Sequence, residues 1–168
     1  MNAGAWGVEM KDVTCSVSFL SEDGEIVERS RSRLKFSYRK LDFPSSWVIL
    51  KGRFRLKRGV KEEILERMRS YSEMRQKKHP LDYPSAGSIF KNPPGDFAGR
   101  LIEAVGLKGR RHGGAMISPQ HANFIVNVGA ATAADVRALM DDAVQRVSDV
   151  TGVRLEPEIK LVGDWSGT

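Results

Sequence analysis

The residues best able to do chemistry are concentrated between Pro84 and Pro93, where Gly87 precedes the hydroxyl of Ser88 and the run closes on Lys91 and Asn92. A hydroxyl, an ammonium and a side-chain amide all form directed hydrogen bonds, and the glycine gives the backbone freedom to present the serine. A loop that only reverses the chain needs Gly, Pro or Asn, and has no use for an aromatic Phe90 followed by Lys-Asn. Two readings stand: a tight turn into a short strand, or a site loop in which Ser88 meets a ligand while Lys91 and Asn92 hold its polar groups.

Four further places carry candidate chemistry. Arg39, beside Tyr38, is either surface decoration or a bidentate grip on a carboxylate or phosphate. Lys78 ends a stretch from Lys57 with eight basic and four acidic residues, which is either a solvated helix face or a cation source beside the serine loop. The polar connector Ser118 to Asn123 carries His121, a general base, a ligand contact or neither, since no carboxylate stands at a telling spacing. Glu156 and Glu158 flank Pro157, which makes either an acidic edge that discourages association or a carboxylate delivered to a site.

These residues require a scaffold that mixes strands and helices. Val13, Cys15, Val17 and Phe19 alternate with Thr14, Ser16 and Ser18, predicting a strand with one buried face, turned by Asp23-Gly24 into a return strand at Ile26 and Val27. Another strand is expected from Trp47 to Lys57, with Phe54 and Leu56 on one face and Arg53, Arg55 and Lys57 on the other. Val60, Ile64, Met68, Tyr71 and Met74 mark an amphipathic helix that Pro80 stops. Asp96 is expected to cap a short helix bearing Phe97, Leu101, Ile102 and Val105, and short strands follow at residues 113–117 and 124–126. Thr132 and Asp135 form a capping-box pattern, opening a helix with Val136, Leu139, Met140, Ala143, Val147 and Val150 on one face before Gly152. A last strand is expected from Val153 toward Val162. The small residues up to Gly7 predict a disordered terminus or a close backbone approach, with disorder the default.

Composition narrows the class. The 168 residues are 40% hydrophobic and 29% charged, with one cysteine and three histidines. They predict a soluble α+β chain without a disulfide, a metal site, a membrane span or a signal peptide, hence a cytoplasmic one. The net charge of +6 admits nucleic acid, an acidic membrane or a phosphorylated small molecule. The basic residues are not interleaved with aromatics as on a stacking surface, which favours the phosphorylated ligand over nucleic acid.

Seven segments then occur in one order: Met1 to Gly7, Phe36 to Arg39, Pro84 to Pro93, Ala98 to Glu103, Gly106 to Gly109, His121 to Asn127 and Leu155 to Glu158. In that order the chain resembles the second part of the UDP-N-acetylenolpyruvoylglucosamine reductase family, flavoenzymes of bacterial peptidoglycan precursor synthesis. The resemblance covers nearly the whole chain and includes the Gly-Ser-x-Phe-Lys-Asn-Pro core. It implies that NADPH reduces a bound FAD, and that the flavin passes hydride to the enolpyruvyl group of UDP-N-acetylglucosamine enolpyruvate.

By the same resemblance, Ser88 is the proton donor, Arg39 grips the substrate carboxylate, and Glu158 polarises that group. Lys78 and Asn92 hold the diphosphate and neighbouring polar groups, while Gln120, His121 and Tyr38 line the substrate pocket. Asn2, Ala3, Gly4, Gly7 and Arg39 contact the cofactor. Trp6 replaces a more usual Tyr, and Leu41 stands where many relatives have Ser. The implied organisation is residues 1–78 as the C-terminal part of an FAD-binding domain, β-rich with one long helix, and residues 79–168 as a small α+β substrate-binding domain. The family's N-terminal flavin region should precede the Asn-Ala-Gly segment. The chain is therefore expected to be a truncation, or a remnant served by a flavin segment in trans, with loose or no FAD binding and little turnover alone. The alternative class is a non-catalytic module that binds a UDP-sugar or nucleic acid.

Overall fold

The computed structural model describes residues 1–165. It is a mixed α/β structure in two compact units, Met1–Lys61 and Glu62–Thr168. In the first unit, β1 (Gly4–Ala5) and β2 (Val8–Glu9) form a hairpin. Trp6 and Gly7 fill its two-residue turn with φ of 54° and 81°, the doubly left-handed geometry whose twist suits tight hairpins. The expectation of a disordered terminus is thus corrected. Asn2 is 2% exposed, and its amide donates to Glu9 Oε2 (2.9 Å) and the Ser37 carbonyl (3.2 Å) while accepting from Lys11 N (3.0 Å). Partners seven, nine and 35 residues away order this end, the last invisible in the local composition.

After a short helix α1 (Met10–Val13) comes the central strand β3 (Thr14–Leu20), between β4 (Ile26–Ser30) and β7 (Val48–Phe54). The β3–β4 hairpin is as expected, but the single buried face is not. Thr14 and Ser16 are buried along with Val17 and Phe19. The β3–β7 register shifts twice, and such irregularities break strict alternation. The buried hydroxyls are satisfied by Met10 O (2.7 Å) and Glu28 Oε1 (2.6 Å). Phe19 packs against Phe43 and Trp47, at ring-centre distances of 5.2 and 5.7 Å. Strand β7 ends at Phe54 and is exposed throughout, and Leu56 lies beyond it in solvent, so the expected apolar face is not covered within this unit. A second hairpin, β5 (Lys35–Ser37) and β6 (Lys40–Asp42), carries Tyr38-Arg39 at its tip.

All but the first residue of the long helix α2 (Lys61–Lys78) belongs to the second unit; the helix forms where the apolar spacing predicts it and stops before the buried Pro80. None of its residues is buried, so periodicity located the helix without locating a core beneath it. Its core lies farther along the chain. Strands β8 (Ser85–Ser88), β9 (Arg111–His112), β10 (Ala115–Ile117) and β11 (Phe124–Asn127) form an antiparallel sheet in the order β8-β11-β10-β9. Helices α3 (Ala98–Ala104) and α4 (Ala133–Thr151) close one apolar cluster with it, including Ile89, Phe90, Leu101, Ile117, Leu139 and Val147.

Helix α4 starts on the expected capping box: Asp135 N donates to Thr132 Oγ1 (3.1 Å) and Thr132 N to Asp135 Oδ2 (2.9 Å). Its apolar stripe is buried as far as Val147, whereas Val150 is 70% exposed and does not join the core. Helix α3 has no side-chain cap at Phe97; Asp96 accepts from Phe97 N (2.7 Å) and pairs with Arg100, and Asn92 Oδ1 accepts from Ala98 N (3.1 Å). The expected Val153–Val162 strand does not form. Its only pairing among the described residues is a bridge between Phe90 and Pro157.

Gly114 is the tightest backbone approach in this unit. A Cβ there would lie 2.0 Å from the Gly129 carbonyl oxygen and 2.5 Å from Ala131 N. Gly114→Ala must displace backbone, so we expect a loss of about 3 kcal/mol in urea unfolding of the chain. Thr132→Ala, which removes only the cap, should cost about 1 kcal/mol. A Gly114→Ala midpoint equal to the parent's would show that the Gly129 turn yields freely.

Candidate functional site

The serine loop is held by a short seam. Lys91 N donates to Glu156 O (2.8 Å) and Glu158 N to Ile89 O (2.7 Å), flanking the Phe90–Pro157 bridge. Pro157 therefore occupies a position where an antiparallel pair needs no inward N–H, which is why proline is tolerated there. The sequence set Glu156 and Glu158 in an expected last strand with Pro157 marking an edge or a local break; the structure gives an irregular segment docked at this one bridge. The consequence for the site is the same proximity: Glu158 is bonded through its backbone to the residue that follows Ser88. The Lys91 ammonium pairs with the Glu156 carboxylate, so Lys91 has an internal partner as well as any ligand.

Phe90 is secured from its other side by Asn123. Asn123 Oδ1 accepts from Phe90 N (2.9 Å), its Nδ2 donates to Phe90 O (2.8 Å), and its own carbonyl accepts from Ile89 N (2.9 Å). The side-chain amide thus replaces a missing strand partner for two backbone groups in the interior. Ser88 itself ends β8 opposite Phe124 and is half-buried, directly after Gly87 with φ of 83°. That left-handed backbone favours glycine and turns the chain immediately before the hydroxyl.

The connector between β10 and β11 is built on Ser118, which is 1% exposed. Its Oγ accepts from Gln120 N (3.1 Å) and His121 N (3.3 Å). Gln120 sends its side-chain amide to α2, donating to Gln76 O (3.2 Å) and Lys77 O (3.0 Å) next to Lys78. His121 receives Asn123 N on Nδ1 (3.2 Å) and packs on Phe124 and His79, with centroids 4.8 and 6.0 Å away. The isolated histidine of the sequence is thus one of a pair. Burial, with the neighbouring His79, pushes the His121 pKa below its ordinary value; burial, with Arg75 and Lys78, lowers that of His79.

In the first unit, Arg39 sits at the β5–β6 tip with φ of 55°. For a long side chain the left-handed region costs about 1–2 kcal/mol, and such strain is retained where the surroundings impose it. Asn2 fixes the adjoining Ser37 carbonyl, as described above. The guanidinium lies 5.8 Å from the centre of the half-exposed Tyr38 ring. Ala3 and Gly4 are exposed, whereas the Asn2 side chain is committed within the unit.

The second unit therefore brings Ser88, Asn92, Gln120, His121 and Glu158 onto one connected set of loops, with Lys78 tied to it through Gln120. Sequence reasoning missed Asn123, His79 and Ser118. Asn123 acts through buried contacts to Phe90, 33 residues away, that no local spacing reveals; Ser118 makes a local serine turn with the N–H groups two and three residues on, within the polar stretch from Ser118 to Asn123.

Comparison with known proteins agrees with this architecture. The family model described as UDP-N-acetylenolpyruvoylglucosamine reductase, C-terminal domain, matches residues 79–162. A UDP-N-acetylenolpyruvoylglucosamine reductase of Caldanaerobacter subterraneus subsp. tengcongensis is 48% identical over 165 residues, covering 98% of this chain and 55% of the relative. One of Lachnoclostridium phytofermentans is 44% identical over 165 residues, covering 98% and 53%. A crystal structure of UDP-N-acetylenolpyruvylglucosamine reductase from Thermus caldophilus superposes with a TM-score of 0.81 at 42% identity, covering 95% of this chain and 57% of that one. The chain spans about half the length of the curated relatives it matches.

Asn123→Ala strands the buried Phe90 N–H and C=O, so a loss of about 3 kcal/mol is expected in urea unfolding. Acid should weaken the same region. Both histidines titrate below their ordinary value of 6.5 when folded, so their contribution is full above that pH. Below it the unfolded chain takes up protons that the folded chain resists, and stability falls until the folded values are passed. The unfolding midpoint should therefore drop between pH 7 and 5. His79→Phe, which keeps a ring against Phe124, should reduce that drop; an unchanged pH dependence would reject the histidine pair as its source.

Proposed function

The chain belongs to the UDP-N-acetylenolpyruvoylglucosamine reductase family, and from that premise we propose that it carries the substrate-handling groups of a cytoplasmic reductase acting on UDP-N-acetylglucosamine enolpyruvate. The observation that carries this reading is the seam joining Ile89–Lys91 to Glu156–Glu158, which brings the serine loop beside the glutamate segment. Residues assigned to one reaction step are thereby neighbours along a backbone pairing.

The chemistry converts a carbon–carbon double bond into a single bond by adding hydride to one carbon and a proton to the next. Hydride is supplied by FAD, itself reduced by NADPH. Negative charge develops on the carbon beside the carboxylate and spreads into it. Arg39, a planar and permanently charged fork, pairs with that carboxylate and stabilises the charge as it forms. Glu158 polarises the same group. Ser88 Oγ then gives its proton to the carbanionic carbon, and a positioned donor of this kind is worth about a hundred- to ten-thousand-fold in rate. Lys78 and Asn92 hold the diphosphate side of the substrate, and His121 and Tyr38 line its pocket.

For the cofactor, the exposed small residues Ala3 and Gly4 suit close approach by a flat ring system, and the Asn2 hydrogen bonds hold their hairpin in place. Asn2 thus serves the cofactor by positioning backbone. Fuller FAD binding calls on a flavin-binding segment outside residues 1–168, in the same polypeptide or in trans.

Ser88→Ala in the FAD-loaded enzyme should slow substrate reduction by about a hundredfold or more while leaving flavin reduction by NADPH nearly unchanged. Equal losses in both half-reactions would reject the proton-donor role. The chain alone should purify without stoichiometric flavin absorbance, and a fully loaded yellow protein would overturn that. UDP-N-acetylglucosamine should raise its melting temperature; stabilisation by a single-stranded oligonucleotide alone would favour a nucleic-acid module instead.

A further inference from the structure

We infer that Gln120 is a positioning residue for Lys78: by holding the last turn of α2, its side-chain amide fixes where the Lys78 ammonium is presented to a diphosphate. The inference rests on the reading above, in which Lys78 meets that diphosphate, and it gives Gln120 a role other than lining the pocket. The final four carbonyls of a helix lack intrahelical donors. Gln120 Nε2 donates to two of them, Gln76 O at 3.2 Å and Lys77 O at 3.0 Å, immediately before Lys78. No residue of α2 is itself buried; its end is held by His79, just beyond it, packing on Phe124 and His121, and by the directed bonds from Gln120. The donor is itself well founded, because Gln120 N is held by the Oγ of Ser118, which is 1% exposed.

The arrangement needs an amide. A carboxylate at position 120 has no hydrogen to give to a carbonyl, and an asparagine is one methylene shorter. Arg75, Lys77 and Lys78 lie in this last turn, the helix end where cations are favoured. A long lysine side chain on a frayed turn would have to be ordered by the ligand; on a held turn that ordering is largely done in advance.

The experiment measures UDP and uridine affinities by NMR titration of the 168-residue chain and of Lys78→Ala, Gln120→Ala, Gln120→Glu and the Lys78→Ala/Gln120→Ala double variant. Lys78→Ala should weaken UDP binding about tenfold, and Gln120→Ala or Gln120→Glu about threefold to tenfold. The double variant should be no weaker than Lys78→Ala alone, because Gln120 acts through the lysine. Uridine, which lacks phosphate, should be unaffected by either Gln120 substitution. Amide exchange at residues 75–78 should accelerate in Gln120→Ala. Additive losses, or a loss of uridine affinity, would show that Gln120 contacts the ligand itself and overturn the inference. A Lys78 effect without a Gln120 effect would overturn it while leaving the Lys78 assignment standing. If UDP does not bind the parent chain, or Lys78→Ala changes nothing, the assignment of Lys78 falls and the positioning role falls with it.

Discussion

The second unit depends on one buried side-chain amide. Asn123 occupies both backbone groups of Phe90, and its carbonyl takes the N–H of Ile89. Remove those bonds and a two-residue stretch of interior backbone has no partner on that side, at a cost of about 1–3 kcal/mol for each stranded group. The amide also fixes order in space. On one side of Phe90 lies the β10–β11 connector with Gln120 and His121; on the other lies the segment that carries Glu158. Ser88 comes just before the clamped pair. Three loops distant in sequence are therefore registered against one another by a residue that need not touch the substrate.

The polar groups around this clamp serve the protein first. Asn92 satisfies an N–H at the start of α3, Gln120 satisfies carbonyls at the end of α2, and Lys91 pairs with Glu156. Such internal commitments restrict rotamers before any ligand arrives, and restricted groups lose less entropy on binding. The first unit follows the same logic with different parts. Asn2 anchors a small-residue hairpin to the Ser37 carbonyl, and two residues later Arg39 holds a strained backbone at a hairpin tip. In both units an amide that looks like a ligand contact in the sequence is committed to backbone groups of the protein itself.

What could be read from sequence follows the range of the interaction involved. The Thr132–Asp135 box and the apolar stripe of α4 are local, and they appear as expected apart from exposed Val150. The family resemblance was legible for a related reason, since ordered segments carry its signature without any contact being known. Exposure of α2 was not legible, because periodicity states which face is apolar and not whether anything covers it. The Val153–Val162 strand failed because β propensity and an edge proline cannot tell a ladder from a single bridge. Asn123 and the ordering of Asn2 were missed altogether, their partners lying 33 and 35 residues away.

The hydrogen bond from Asn123 N to His121 Nδ1 at 3.2 Å also selects a tautomer. A neutral imidazole that accepts at Nδ1 carries its proton on Nε2, and burial keeps this ring neutral at ordinary pH. Nε2 is then a donor. It can give a hydrogen bond to an oxygen that approaches it, but it has no lone pair with which to abstract a proton. Of the roles open to His121 from sequence, general base through that nitrogen is closed by a backbone amide two residues away.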